Sequence, residues 1–465
     1  MSKRVLINLY DIVEFDNLAA KLQTFYGYDV YATELSYEKV KNIGIDVKKF
    51  DGINDKFDII FCNFFPISQY LNKNIDEDTF IKNIDSLGLS IIEKYTKKYR
   101  ETLIVTNSEQ YEHVEEYIKN NQTDENLRKK YAQQALQLVC KINSDIIKLI
   151  ANSDNYLNIN SEKACDLLYG ENSHQKAVLY KSDNDISYEI INDKELSYNN
   201  LIDINITTSI ISEFFDVNAT VITKHAMPCA AALGSTLVDS YKKAIDCDPI
   251  SAIDSVIGFS QIVDKQLAKL LKSMSIKCTI APDYDDAAIN LLKENNIKII
   301  KINTPLKDYK KYLKKELIKT PFGILVQDFN NSELIKNTFK VVTKKKPTTE
   351  MIEDMVFAWK VAKYSRTNSA IVVKDLATVG IAQGMTSKID AIDFVLNKAC
   401  EKSKEAILVT DGIISTTDGI LDAAQARIAG IIQPGGGLRD KEIITTADKY
   451  EITMIMTGLR QYKNR

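Results

Sequence analysis

Lys224 and His225 stand side by side, followed by Ala226-Met227-Pro228-Cys229, and a second histidine lies in Tyr169-Gly170-Glu171-Asn172-Ser173-His174-Gln175. The chain holds only three histidines in 465 residues, so two in segments of this kind are informative. A lysine supplies a fixed cation that stabilises a developing oxyanion, and an imidazole beside it titrates near neutrality and moves a proton. That pair suits acyl or formyl transfer to a weak amine. Taken alone, the dipeptide reads first as a strand end with an exposed lysine and a backbone-satisfied histidine, and its neighbours are what turn the reading towards chemistry.

Other loops carry ligand chemistry. In Gln433-Pro434-Gly435-Gly436-Gly437-Leu438-Arg439-Asp440, consecutive glycines let backbone N–H groups approach an anion beside Arg439, although a tight turn has the same composition. Asn368, in Ser365-Arg366-Thr367-Asn368-Ser369, offers an amide to a ligand or caps the end of a helix carrying Phe357 and Trp359, which read as core. Asp283 reads as a substrate acceptor or a helix N-cap.

These loops need elements to hold them. Ala219-Thr220-Val221-Ile222-Thr223 is short and β-branched, the pattern of a buried strand delivering Lys224 and His225 to its end, where α/β sheets bind ligands. Upstream, strands are expected at Val5–Leu9, Val30–Ala32, Asp58–Asn63 and Thr102–Val105. Helices are expected at Asp76–Tyr99, Asn107–Asn120 and about Glu125–Ile150. The polar run Asn152-Ser153-Asp154-Asn155 reads as a linker, placing a first α/β domain at 1–155 and a second at 156–465. The second repeats its pattern in halves of about 190–335 and 345–465, with strands including Val256–Phe259, Cys278–Ala281, Ile297–Ile302, Ile324–Gln327, Ala370–Val373, Val379–Ala382, Ala406–Thr410, Ile428–Ile432 and Thr453–Thr457.

Composition narrows the function. Sixty basic against 63 acidic residues, a net charge of -3, argues against a general nucleic-acid or membrane-surface binder and for a small-molecule ligand. The seven cysteines are dispersed without a CxxC pair, the usage of reduced thiols in a cytoplasmic protein. The N-terminus opens directly into a strand pattern, with no signal segment or apolar run long enough to span a bilayer.

Together and in order, these segments resemble the bifunctional AICAR transformylase/IMP cyclohydrolase family. The family's Arg-Tyr-Gly-Glu-Asn-Pro-His-Gln stands here as Leu168 to Gln175, its Leu-Ser-Tyr-Asn-Asn as Leu196 to Asn200, and its Lys-His-x-x-Pro-Cys as Lys224 to Cys229. Asp248 to Ala252, Ile280 to Pro282, Phe357 to Asn368, Thr378 to Ile381, Gln433 to Gly436 and Thr457 to Arg460 match further motifs. The resemblance implies a methylglyoxal-synthase-like parallel-sheet domain followed by two cytidine-deaminase-like α/β halves without zinc, assembled as a homodimer with shared active sites. Formyl would pass from 10-formyltetrahydrofolate, the cosubstrate, to the 5-amino group of AICAR. By position, Lys224 and Asn368 would stabilise the oxyanion and His225 would take the amine proton, while Tyr169, Gly170, Asn200, Asp283 and Arg460 would hold the nucleotide.

The chain departs from the family pattern where substrate contacts are expected. Leu168 replaces an arginine, Asp254 a glycine, Ile413 an aromatic residue and Asn464 the terminal histidine. In the first domain, Ala32-Thr33-Glu34-Leu35-Ser36 stands for a Ser-Thr-Gly-Gly-Thr phosphate loop, the Lys-Thr-Leu-His-Pro segment is missing, and Phe65 replaces a tyrosine. Asp85 and Lys97 match the catalytic aspartate and lysine of the cyclohydrolase, as remnants or as plain exposed helix residues. The expectation is a formyltransferase with weak or absent ring closure. A related transferase with a changed substrate and a non-catalytic ligand-binding relative are the competing readings.

Overall fold

The computed structural model describes residues 3–52, 56–66, 81–120, 124–151, 157, 159, 161–182, 185–192, 194–334 and 340–464. The chain divides into two compact units, Met1–Asn160 and Ser161–Arg465. The run Asn152–Asn155 and the first part of the expected helix Asp76–Tyr99 lie outside the described residues.

The first unit is built on β1 (Arg4–Leu9), β2 (Asp29–Ala32), β3 (Val47–Lys49), β4 (Ile59–Asn63) and β5 (Leu103–Val105), all parallel in the order β3-β2-β1-β4-β5. Helices cover both faces of this sheet, which is why its strands read as continuous apolar runs. Val5, Ile7 and Leu9 pack with Phe15, Leu18 and Leu22 on one side. On the other, Leu6, Ile60 and Ile104 meet Ile91, Ile92, Tyr95 and Val139. The long helix spans Glu125–Ala151, within a residue of its expected limits, and the helix expected over Asp76–Tyr99 is regular over Ser86–Thr96.

The second unit continues with β6 (Glu162–Leu167), β7 (Ala177–Lys181), β8 (Tyr188–Ile190), β9 (Asn218–Lys224), β10 (Met227–Gly234), β11 (Val256–Phe259), β12 (Cys278–Ala281), β13 (Lys298–Ile302), β14 (Lys315–Thr320), β15 (Gly323–Asp328), β16 (Lys340–Val341), β17 (Ala370–Lys374), β18 (Ala377–Ala382), β19 (Ile407–Thr410), β20 (Gly430–Gln433) and β21 (Thr453–Met456). Twelve of these form one sheet, β16-β21-β20-β19-β17-β18-β10-β9-β11-β12-β13-β8. Each half contributes a hairpin, β9–β10 or β17–β18, then three parallel strands, β11–β13 or β19–β21, and an antiparallel edge. The halves join where β10 runs antiparallel to β18, with Ala232 opposite Ala377.

The helices Tyr198–Ser212 and Thr349–Ala362 share one core on this sheet, where Ile210, Ile211 and Phe214 meet Phe357, Trp359 and Val361. Phe357 and Trp359 are core residues, as expected. The approach is close enough that a Cβ on Gly258 would stand 2.3 Å from the Thr207 methyl. Thr207 and Thr208, fully buried, donate to the carbonyls of Asp203 and Ile204 at 2.7 Å, which lets hydroxyls sit in an apolar core.

The segment Ile324–Gln327, expected among the strands of the repeat, is a strand outside the large sheet. Among the described residues it pairs only with β14, in a separate two-stranded hairpin whose Phe322, Leu325 and Ile324 are exposed. β10 was not expected, because Pro228 and three successive alanines have weak strand propensity; its pairing on both sides overrides that preference.

Candidate active site

Lys224 ends β9, and His225 and Ala226 form the two-residue turn to Met227. Both turn residues have positive φ, 57° and 61°, the signature of a type I′ hairpin turn that asparagine and glycine usually occupy. β9 runs antiparallel to β11, so this turn lies at the amino ends of β11–β13. Through β10, β18 and β17 the register places it at the same sheet end as the carboxyl ends of β19–β21. The Lys224 end is therefore the carboxyl end of the other half's parallel strands, the edge at which α/β sheets usually bind ligands.

Asn368, just before β17, belongs to that end. From β9 to β17 is three strand spacings, or about 14 Å. Gln383 bridges the interval, its Nε2 donating to the Pro228 carbonyl at 2.7 Å and its Oε1 accepting from Arg366 N–H at 3.3 Å. The side chains are not aimed at a common point. Lys224 Nζ donates to the Ile253 carbonyl at 2.6 Å, on the β11 side, and Asn368 Nδ2 donates to the carbonyls of Met385 and Thr386 at 3.1 and 3.2 Å. Asn368 is also not a helix cap, since the helix closes at Lys363.

The remaining positions divide between the two sheet ends. The Tyr169 carbonyl accepts from Tyr198 N–H at 3.2 Å, and Gly170 is buried in a tight loop closed by its N–H to the Gln175 carbonyl at 2.8 Å. Asn200 is buried as the third residue of a capping box with Ser197, and its oxygen also accepts from Lys298 Nζ at 2.8 Å. Burial lowers the pKa of that lysine. All three lie at the Lys224 end, because Lys298 opens β13. Arg460 is exposed there too, 5.7 Å from the Tyr462 ring centroid, in a C-terminal strap tied across Asn368 by Thr367 N–H to the Lys463 carbonyl at 2.9 Å. Asp283 follows the carboxyl end of β12 and so stands at the opposite sheet end. It pairs with Lys301 at 2.8 Å, which holds its carboxyl below the usual range, and the N-cap of the following helix is Asp285 instead.

Three residues that sequence reasoning passed over organise this end. Asp411, fully buried, accepts from Thr367 Oγ1 at 2.6 Å and from Ser369 N–H at 3.0 Å, one residue to each side of Asn368, and is paired with Lys388. Burial pulls the Lys388 pKa down against the attraction of Asp411. Asp203, 7% exposed, accepts from Ala226 N–H at 2.6 Å inside the Lys224 turn. Glu213 ties the two central helices together. The signal available for Asp203 was the repeat itself, since Asp354 precedes Lys374-Asp375 much as Asp203 precedes Lys224-His225.

Two loops changed meaning in three dimensions. The N–H groups of Gly436 and Gly437 are occupied by the Asp440 carboxylate at 2.7 and 3.1 Å, so the glycine loop holds its own anion; Arg439 pairs with Glu442. Asp254, where the family has glycine, has a φ of 56°, the left-handed region that favours glycine. Its neighbour Ile253 is the residue Lys224 contacts.

The family model described as AICARFT/IMPCHase bienzyme matches residues 96–398. The bifunctional purine biosynthesis protein PurH of Petrotoga mobilis is 34% identical over 425 residues, 88% of this chain and 82% of that protein. Its namesakes from Fusobacterium nucleatum and Clostridium botulinum strain Kyoto are 34% and 35% identical over 421 residues, each with 82% of its length covered. The chain belongs to the AICARFT/IMPCHase family.

Asp85 is not a plain exposed helix residue: it is the N-cap of Ser86–Thr96, accepting from Gly88 N–H at 2.8 Å and from Asn8 Nδ2 at 2.6 Å. Lys97 is the exposed C-cap of the same helix, so the two stand about 18 Å apart along its axis. The sheet order reverses between β1 and β4, the place where such sheets bind ligands. There Thr33 Oγ1 donates to Asn8, Leu9 N–H to Ser36 Oγ and Asp11 N–H to Asn63 Oδ1, so these polar groups already serve one another.

Proposed function

We propose that this protein is a purine-biosynthesis formyltransferase, moving formyl from 10-formyltetrahydrofolate to the 5-amino group of AICAR, with little or no ring closure. The observation that supports this reading is that Lys224, His225 and Asn368 lie at one end of one sheet, in a member of this family. The amine attacks the formyl carbon. Lys224 and Asn368 hold the oxyanion, and His225 takes the amine proton as the new C–N bond forms. Collapse breaks the bond to the folate N10, which receives a proton and leaves as tetrahydrofolate. For this, Lys224 leaves the Ile253 carbonyl and Asn368 exchanges a backbone acceptor for the substrate.

Tyr169, Gly170, Asn200, Asp283 and Arg460 are proposed to hold the nucleotide. Since Asp283 lies at the other sheet end of its own chain, the complete set requires two copies, which supports a homodimer with shared sites. The exposed apolar residues of the β14–β15 hairpin fit the same assembly, as an isolated two-stranded hairpin is marginal in water. Among the described residues no helix is long and apolar enough to cross a membrane, in keeping with a proposed cytoplasmic location.

The test is single-turnover formyl transfer with excess protein, AICAR and 10-formyltetrahydrofolate, following tetrahydrofolate and the nucleotide product. Formyl-AICAR without IMP is expected, with a rate at least 100-fold lower, or about 2.7 kcal/mol, in Lys224→Ala or His225→Ala. IMP would overturn the reading of the first unit. Absence of turnover would overturn the reading of the second.

A further inference from the structure

We infer that Asp203 is a positioning residue for the reaction, its buried carboxylate holding the His225-Ala226 turn in the left-handed conformation that presents Lys224 and His225. The inference rests on the proposed role of those two residues.

Neither turn residue is a glycine, yet both have positive φ, which costs each about 1–2 kcal/mol in an L-residue. Something outside the turn must hold it there. Asp203 lies at the turn's base, in the first half of the helix Tyr198–Ser212, and its Oδ1 accepts from Ala226 N–H at 2.6 Å. The His225 N–H lies on the same carboxylate, whose pKa burial raises against the pull of these two backbone donors. A charged acceptor of this kind is among the stronger hydrogen-bond partners available to a backbone amide.

The second half contains the same device without the chemistry. There Asp375 and Leu376 have φ of 52° and 58°, and Asp354, from the equivalent helix Thr349–Ala362, accepts from their N–H groups at 3.1 and 2.6 Å. The carboxylate is thus part of how each half forms its hairpin, and in the first half alone the hairpin carries a lysine–histidine pair. A displacement of about 1 Å at such a pair is enough to cost on the order of 100-fold in rate.

The pseudo-repeat supplies its own control. Asp203→Ala is expected to lower kcat for formyl transfer by about 10- to 100-fold, with KM for both substrates changed less than about 3-fold. Asp203→Asn, which keeps an acceptor oxygen, should recover most of that loss. Asp354→Ala should lower thermal stability comparably while leaving kcat within about 3-fold of the parent. If Asp203→Ala folds poorly, Asp203→Ala/Ala226→Gly tests the same point, since glycine accepts the left-handed turn unaided and should restore kcat. A wild-type kcat in Asp203→Ala, or an equal kcat loss in Asp354→Ala, would overturn the inference. His225→Ala, measured alongside, separates the two failures: an unchanged rate there removes the functional reading itself and this inference with it.

Discussion

Glu213→Gln should destabilise the second unit by about 3–5 kcal/mol, the usual cost of removing one partner from a buried ion pair. Glu213 closes the helix Tyr198–Ser212 with its side chain 4% exposed. It accepts from Lys363 Nζ at 2.9 Å, Lys310 Nζ at 2.9 Å and Tyr364 Oη at 2.8 Å. Lys363 closes the equivalent helix of the other half and is 3% exposed, so Glu213→Gln leaves its ammonium in the core with neutral acceptors, the glutamine amide oxygen and the Ser332 carbonyl at 3.3 Å, in place of a carboxylate at 2.9 Å. With a urea m value near 3 kcal/mol/M, the midpoint should fall by about 1–1.7 M. Glu213→Leu/Lys363→Met should recover at least half of the loss, because removing both charges removes the desolvation cost as well. Burial alone would raise the Glu213 pKa, but Lys363 and Lys310 prevail and hold it below 4.5. A carboxylate with a lowered folded-state pKa contributes stability above its unfolded value and loses it as pH falls through the folded one. The difference between parent and Glu213→Gln should therefore be full near neutrality and shrink in acid below 4.5. A midpoint shift under about 0.3 M, or a difference independent of pH across that range, would refute the reasoning.

Two further outcomes follow from individual sites. Asp85→Ala removes a helix cap and the partner of buried Asn8, so it should lower the stability of the first unit by about 1–3 kcal/mol in chemical denaturation while leaving the rate of formyl transfer unchanged; a fall in that rate would show that Asp85 is more than a cap. Asp254→Gly relieves a left-handed backbone and should raise stability by about 0.5–1 kcal/mol, read as an increase in melting temperature. A decrease would mean that the 3.3 Å hydrogen bond from Ser275 to its carboxylate outweighs the strain.

Much of this protein was legible in one dimension. β11 and β12 have the limits their β-branched runs suggest, because a strand buried on both faces must be apolar along its whole length. The long helix Glu125–Ala151 and the core roles of Phe357 and Trp359 were readable for a similar reason, since an apolar face declares what it packs against. The motif residues were legible as chemistry, because Lys224-His225 and Asn368 need only their own functional groups to suggest acyl transfer.

What the tertiary structure decided was which groups remain available to a ligand. The glycine loop, by sequence a tight turn or an anion cradle, is filled by the chain's own Asp440, and Asp85, by sequence an exposed helix residue or a catalytic remnant, is bound by Asn8. The sheet also separated Asp283 from Lys224, placing them at opposite ends through the antiparallel pairing of β9 with β11. None of this is local: a hydrogen-bond partner 77 residues away, or a strand direction set by pairing, leaves no mark on the residues it commits. Composition and order thus determine what chemistry the chain contains, while the folded register determines which groups are already spent on holding the fold and which remain for a substrate.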